Sequence, residues 1–459
     1  MTRIVSLETH DIRFPTSQAL YGSDAMNRAP DYAAAYVVVR TGEDVSGHGF
    51  AFTIGRGNDV QLAAVRCLEP LVVGLDVEAT LSDLGGFSRR LVWDSPLRWL
   101  GPEKGVIHMA IGAVVNAMWD LRAKVEGKPL WRLLAELSPE EIVPLVDFRY
   151  LRDALAPDEA LELLQRRRTG SAERARDLEA NGYAAYTTSA GWFGYDDGTV
   201  RALCEEAVEL NFPLVKMKVG GRPEDDLRRC RIAREAIGSE RGLAVDANQV
   251  WEVDESIERI RPLEELGLSW VEEPTNPDDI LGLARIRRKI ASPVAAGEHV
   301  ANRVVFKQLL QEEAIDIMQI DACRVAGVNE NIANVLLAAK FGVPVFPHAG
   351  GVGLCEVVQH LAMFNHVALG AAPPARAHQL HEPMIEWIDH LHEHFVDPAR
   401  VVQGRYIAPK EPGASTEMRP EALKAYRFPD GEVWANELAR SSSPSGEGEG
   451  EAAPGERAR

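Results

Sequence analysis

The sequence predicts an α/β protein: a (β/α)8, TIM-like barrel joined to a smaller α+β domain built mainly from the N-terminal part. Three observations predict it. From about residue 143, short apolar runs alternate with helical segments of a dozen or more residues, the mark of parallel βα units. Six of the runs end in polar or charged residues: LVKMKVG, LAVDANQ, LSWVEEPT, PVAAGEH, IMQIDAC and VPVFPHAG. Their polar residues also recur at a near-constant step. Lys218 to Asp246 is 28 residues, Asp246 to Glu272 and Glu272 to Glu298 are 26 each, Glu298 to Asp321 is 23, and Asp321 to His348 is 27. One strand, one helix and two short loops fill such a step. Six units in series, with candidates at both ends, make a barrel of ordinary size. An open doubly wound sheet is the alternative, but it usually carries G-x-G-x-x-G after its first strand, and none occurs there.

Residues 1–140 open with strand-like pieces, IVSLETHDIRF and AAAYVVVRT, rich in β-branched and aromatic residues. The polar stretch 22–31, GSDAMNRAPD, separates them as a loop. Helical patterns follow, notably HMAIGAVVNAMWDLRAKVEGKPLWRLL (108–134). Its small residues suit close helix packing, and Gly127 and Pro129 stop the first helix. Strands before helices suggest a separate α+β domain. Residues 141–400 are assigned to the barrel. Its first strand is either VPLVDFRY (143–150) or YAAYTTS (183–189); the second is favoured, since Gly191 and Trp192 then lie just past its end. Residues 401–437 are expected to pack back on the N-terminal domain. Residues 438–459 are mostly Ser, Gly, Pro and Glu and are expected to be a disordered tail.

Composition narrows the function. A net charge of -19 argues against nucleic acid as a partner, because phosphate binding needs a basic surface. A small anionic substrate is compatible with it, provided the site holds cations. Five cysteines without a CxxC pair suit free thiols in a reducing cytoplasm. No signal-peptide pattern opens the chain, and no apolar run reaches about 18 residues, so neither export nor a membrane span is expected.

Active sites of parallel barrels lie at the C-terminal strand ends, where all six polar residues fall. Asp246, Glu272 and Glu298 would repel one another there unless a cation sat among them. Oxygen-only ligands with open positions suit one Mg²⁺ per site. Pairing with Lys or Arg on the rim is the alternative, harder to sustain for three carboxylates at matched positions. Glu273 alternates to the other side and is expected to form a structural ion pair. Asn248 returns to the ligand side, to bind substrate or to brace the loop. Lys216 and Lys218 share one face of a strand. One can neutralise a carboxylate oxygen, and the other can act as a base if neighbouring charge lowers its pKa. Asp321 beside His348 would fix its tautomer and raise its basicity. His390, His392 and His394 in DHLHEHF read as a packed or solvated helix face. AGGVG (349–353) lacks the Lys of a phosphate loop.

These motifs in this order, with QIDACRVAGVNE, PHAGGVGLCE and AMWDLRAKVEGKPLWRLL, resemble the mandelate-racemase branch of the enolase superfamily over nearly the whole chain. Within the branch, GSDAMNRAPDYAAAYVV, WDSPLRWLGPEKGV, YTTSAGWFGY, RVVFKQLL and EWIDHLHEHFVDP are similar to the L-fuconate dehydratases. The resemblance implies a capping domain over the barrel, a homo-oligomer, and Asp246, Glu272 and Glu298 as Mg²⁺ ligands. It implies Lys218 as the base, Lys216 at the substrate carboxylate, and His348 held by Asp321 as the second acid–base residue. Glu386 would end the eighth strand and help bind the enolate. Gly22, Ser23, Asp24 and Tyr32 of the cap would close over the polyol, with Asn248 opposite. One departure is the proline-rich stretch before Glu386. The implied reaction is dehydration of an acid sugar. A racemase, a metal aldolase and a non-enzymatic binding protein are the competing classes.

Overall fold

The computed structural model describes residues 2–370 and 380–442. The N-terminal domain begins with an antiparallel meander, β1 (Ile4–Arg13), β2 (Ala33–Thr41) and β3 (Ser46–Thr53). The helix Gly105–Val125 lies across it. Contact is close enough that a Cβ at Gly47 or Gly49 would meet the carbonyl of Ala117 at 2.1 Å or of Ala113 at 2.3 Å. The helix is buried on nearly every face, as its apolar sequence requires. One face covers the meander and the other meets the barrel, where Gly112 lies against the carbonyl of Val325.

The barrel follows the predicted step. Its parallel strands are β4 (Tyr183–Thr187), β5 (Leu214–Lys218), β6 (Gly242–Asp246), β7 (Trp270–Glu272), β8 (Val294–Ala296) and β9 (Ile317–Met318), with β10 (Ile385–Trp387) returning to pair with β4. Between β9 and β10, the VPVFPH segment completes the ring. Phe346 N–H donates to Met318 O at 2.9 Å, His348 N–H to Ile320 O at 3.0 Å, and Glu386 N–H to Pro347 O at 3.2 Å. Side chains alternate along the strands. Val215 and Met217 face the helices, whereas Leu214 joins Ala184, Tyr186, Ala244, Trp270, Ala295, Ile317 and Phe346 in a separate apolar plug inside the ring. Tyr186, Trp270 and Phe346 meet edge to face there. This plug is the floor on which the polar strand ends stand.

The favoured first strand, 183–189, is the one formed. The other candidate contains only a short 3₁₀ turn, Val143–Leu145. Residues 401–406 depart from expectation. Their hairpin, β11 (Val401–Val402) and β12 (Arg405–Tyr406), adds antiparallel to β4 and so extends the barrel sheet. Only beyond it does the chain return to the N-terminal domain, where Gly413 bridges Pro129, Arg427 bridges Ile12, and the Trp434 indole donates to Arg13 O at 2.8 Å. The last helix, Glu432–Ser442, takes in residues 438–442 of the expected tail. The rest of the tail and residues 371–379 of the proline-rich stretch lie outside the described residues. Among the described residues, no helix is long and apolar enough to cross a membrane.

A buried ionic network fastens the two domains. Glu330, on the helix Val328–Phe341, accepts from His108 Nε2 of the long N-terminal helix at 2.5 Å and from the backbone N–H of Arg303 and Ala326 at 2.9 and 2.7 Å. Arg303 also binds Glu103 at 2.6 Å and Asp147 at 2.9 Å. Burial alone would raise the pKa of Glu330, but His108 and Arg303 outweigh it and hold the carboxyl well below its usual range. A depressed carboxyl pKa contributes stability above the unfolded value of about 4.3 and loses it as pH falls through the folded one. Glu330→Gln should therefore cost about 3–5 kcal/mol at neutral pH. The gap in melting temperature between it and the wild type should stay constant from pH 7 to about 5 and narrow as pH falls below about 4, as scanning calorimetry from pH 7 to 3 would show.

Candidate active site

Strand register brings the predicted residues together. Lys218 is paired with Asp246 across β5 and β6, and Asp246 with Glu272 across β6 and β7. Three successive strand ends therefore hold their polar side chains at one level, one strand spacing apart. Glu298 reaches the same level by a different route. It follows Gly297, whose Cβ would sit 1.9 Å from Gln319 O, so only glycine lets the chain pass close to the next strand. Oxygens of Asp246, Glu272 and Glu298 all lie within 4.8 Å of one another, and all three residues are buried. Asn248, Gln249 and Glu273, just past two of these ends, have positive φ of 45°, 68° and 41°. Such strain in non-glycine residues concentrates at functional sites.

Two lysines partly offset the acids. Lys216 Nζ lies 2.5 Å from Glu272, 3.0 Å from Glu386 and 3.6 Å from Asp246. Lys218 Nζ lies 2.6 Å from Asp246. Burial opposes both ammoniums, but the surrounding carboxylates outweigh it and hold their pKa values above the usual range. Glu272 is pushed up to about 8, by burial first and by Asp246, Glu298 and Glu386 next, against the pull of Lys216. Glu298 Oε2 has no hydrogen-bond partner among the described residues. A crowded, oxygen-only triad with an unsatisfied oxygen fits a hard divalent cation. A second grouping, Glu273, Glu298 and His299, fits less well. There Glu273 is already paired with His299 at 3.0 Å and accepts from Gln249 at 2.9 Å, the structural ion-pair role expected of it.

Across the ring, His348 Nδ1 lies 2.8 Å from Asp321 Oδ2, while Asp321 Oδ1 accepts from the N–H groups of Cys323 and Arg324. With Nδ1–H directed at Asp321, Nε2 faces Glu298 at 3.5 Å and Glu386 at 3.7 Å. Burial resists protonation, but Glu298, Asp321 and Glu386 outweigh it and raise the His348 pKa to about 9. That favours the protonated ring, whereas the Gly350 N–H, which donates to Nε2 at 3.2 Å, favours the neutral one. Glu386, the middle residue of β10, accepts from the Thr188 hydroxyl and from Ala349 N–H.

A cavity of about 380 Å³ opens above these groups. Lys218, Asn248, Glu298, His348 and Glu386 line it from the barrel, and Gly22, Asp24 and Tyr32 line it from the N-terminal domain. Gly22 has a φ of +75°, and a Cβ there would fall 2.2 Å from the Tyr32 hydroxyl, so both features require glycine. Ser23 departs from the substrate-contact role given to it. It is fully buried, its hydroxyl lies within hydrogen-bond reach of two carbonyls, Phe193 O at 2.9 Å and Leu20 O, and it does not line the cavity. Lys216, Asp246, Glu272 and Asp321 lie beneath the lining rather than on it. Sequence reasoning missed Trp192, His299 and Arg324, which do line it. His299 directly follows Glu298 and Arg324 lies three residues after Asp321, whereas the only signal at Trp192 was its place just past the first barrel strand. The three histidines of DHLHEHF each pack on an aromatic ring. His390 stacks on Tyr21 and Tyr32, His392 on Trp387, and His394 on Phe14.

Ligand-linked stability tests the triad. Mg²⁺ at a hundredfold excess over its Kd should stabilise the wild type by about 2.7 kcal/mol. Asp246→Asn should lose most of that rise in melting temperature, whereas an equal rise in both proteins would remove the triad as the binding site.

Residues 24–135 match the mandelate racemase / muconate lactonizing enzyme N-terminal domain, and residues 199–422 match the enolase C-terminal domain-like family. The chain is 49% identical to mitochondrial enolase superfamily member 1 of Bos taurus, over 95% of this chain and 98% of that protein. It is 47% identical to L-galactonate dehydratase of Hypocrea jecorina, over 93% of this chain and 94% of that one. The crystal structure of human mitochondrial enolase superfamily member 1 superimposes with a TM-score of 0.92 at 47% identity, covering 95% of this chain and 98% of that one. With both domains matched and the fold shared over 95% of its length, this chain belongs to the enolase superfamily, in the branch of mandelate racemase and muconate lactonizing enzyme.

Proposed function

We propose that the protein dehydrates a sugar acid of L-galacto configuration, with L-fuconate as preferred substrate and 2-dehydro-3-deoxy-L-fuconate and water as products, using one Mg²⁺ per site. The observation that carries this is the placement of Lys218 and His348 on one cavity, approaching the carboxylate triad from well-separated strands. A lysine base and a protonated imidazole on either side of one bound acid are what loss of water across C2–C3 requires. The name of the Hypocrea jecorina relative supports the configuration. L-Fuconate is 6-deoxy-L-galactonate and differs from L-galactonate only at C6. Met26, Phe52, Ile54 and Met109 on the cavity wall support a methyl at that end.

Asp246, Glu272 and Glu298 would hold the ion, which supplies positive charge beside the substrate carboxylate and makes the α-proton more acidic. With Asp246 engaged by the ion, Lys218 would lose the carboxylate that holds its proton and could release that proton to solvent; its neutral amine would then take the proton from C2. His348 Nε2 delivers its proton to the departing 3-hydroxyl, which leaves as water. Asp321 keeps the imidazole oriented throughout. Lys216 bridges Glu386 and Glu272 from below. The enol left after C–O cleavage takes a proton at C3 to give the 2-keto acid.

Cytoplasmic location and assembly as a homo-oligomer belong to the same proposal. Trp99 and Leu100, 92% and 72% exposed, give an apolar face that a second copy would cover. The decisive assay is 2-keto-acid formation from a panel of sugar acids with Mg²⁺. L-Fuconate should be consumed fastest, with a change of chirality and no keto product pointing instead to a racemase. Lys218→Ala should abolish turnover while leaving acid and Mg²⁺ binding by calorimetry intact. Asp321→Asn should lower kcat by about 10²–10⁴-fold. Normal turnover by Lys218→Ala would reject the assignment.

A further inference from the structure

We propose that Trp192 is a substrate-binding residue whose indole N–H donates to one hydroxyl of the sugar acid on the Lys218 side of the cavity, an inference that rests on the polyhydroxy-acid reading above. Trp192 is 2% exposed and lines the cavity. Its Nε1 is buried and has no acceptor among the described residues. The indole nitrogen is a donor only, so nothing else on the ring can compensate. A buried donor without a partner is disfavoured and calls for an explanation, which a ligand supplies.

The position of the ring is fixed from two sides. Arg229, 5% exposed, donates through Nη2 to the carbonyls of Gly191 and Trp192 at 2.9 and 2.7 Å, and through Nη1 to Lys218 O at 2.9 Å. One guanidinium thus ties the Trp192 loop to the strand that carries the base. From the N-terminal domain, Ser23 exchanges two hydrogen bonds with Phe193, its hydroxyl donating to Phe193 O and its carbonyl accepting from Phe193 N–H at 3.0 Å. The ring centroid stands 5.6 Å from Lys218 Nζ. A loop this restrained, ending in an unused donor beside the base, is arranged for recognition rather than for filling space.

A second unpartnered atom indicates the ligand's chemistry. Asn248 Oδ1, an acceptor on a residue 4% exposed, is also buried without a partner and belongs to the same cavity lining. A sugar hydroxyl both accepts and donates, so it can satisfy an orphan donor and an orphan acceptor together. A carboxylate only accepts, and a methyl group does neither.

Trp192→Phe keeps an aromatic wall beside Lys218 and removes the N–H. In the Mg²⁺-loaded full-length protein, kcat/KM for the preferred acid should fall by about 10–100-fold, mainly through KM, with the melting temperature unchanged. Among 4-deoxy and 5-deoxy analogues of L-galactonate, one should be handled equally by wild type and variant, because it lacks the hydroxyl that the indole reads. Unchanged kcat/KM for every acid, or an equal loss for all of them including both analogues, would overturn the inference. If the Phe variant does not fold, benzothienylalanine at position 192 removes only the N–H and is judged by the same outcomes. Calorimetric binding of L-galactonate to Lys218→Ala separates the two levels of argument. No binding by that protein or the wild type would overturn the polyhydroxy-acid reading and this inference together. Binding that is indifferent to a further Trp192→Phe would overturn this inference alone.

Discussion

Inside the barrel mouth, negative charge outnumbers positive, and most of the architecture above the apolar plug serves to contain that excess. Asp321 and His348 neutralise each other. Glu273 likewise offsets His299, which also lies 3.3 Å from Glu298, and the other four buried carboxylates, Asp246, Glu272, Glu298 and Glu386, then face two ammoniums, Lys216 and Lys218. The excess of two charges is what one divalent ion cancels. Among the four, Glu272 is the carboxyl that burial and its acidic neighbours push upward, to about 8, against the pull of Lys216. Lys216 is the fixed counter-charge, sealed from the cavity among Glu272, Glu386 and Asp246. Lys218 is the adjustable one, since it is paired with a single carboxylate, Asp246, and itself reaches the cavity. The same K-x-K strand thus supplies one structural and one chemically available amine, separated by a single turn of the pleat.

The barrel and its polar ring were legible in the sequence because both depend on period. A constant step between strand ends and a two-residue alternation within each strand suffice to place Lys218, Asp246, Glu272, Asp321 and His348 on one inner surface. Glu298 fits the step, but the reason it reaches the others is a backbone approach at Gly297 that no periodicity reveals. The cap residues were less legible. Ser23 and Asp24 are adjacent letters in one loop, yet one faces Phe193 and the other faces the cavity. Which does which is set by docking against the β4 loop, a long-range contact without a local signature. The 401–406 hairpin was misplaced for a related reason, since a two-residue strand added to β4 has no pattern of its own. His390 gave the opposite difficulty. Its spacing resembled a helix face, and only the packed structure shows it stacked on Tyr32.

The site is shared by two domains, so its geometry is only as firm as their junction. That junction is polar and buried, which is costly unless every group is paired. Here the pairing is dense. Asn116 donates to Ala322 O at 2.9 Å and accepts from Val328 N–H at 3.0 Å, and the Trp119 indole donates to Asn329 at 2.8 Å. These bonds join the long N-terminal helix to the segment 321–329, which begins with Asp321, the partner of His348. The fastening of the cap and the orientation of the acid–base histidine therefore run through one short stretch of chain. Hydrogen bonds demand specific geometry where apolar contact tolerates sliding. A junction built this way sets the distance from Tyr32 and Asp24 to the ring below more narrowly than a greasy interface of equal area would. Selectivity among sugar acids that differ by one hydroxyl needs that narrowness, because a donor displaced by 1 Å no longer distinguishes a hydroxyl from a gap.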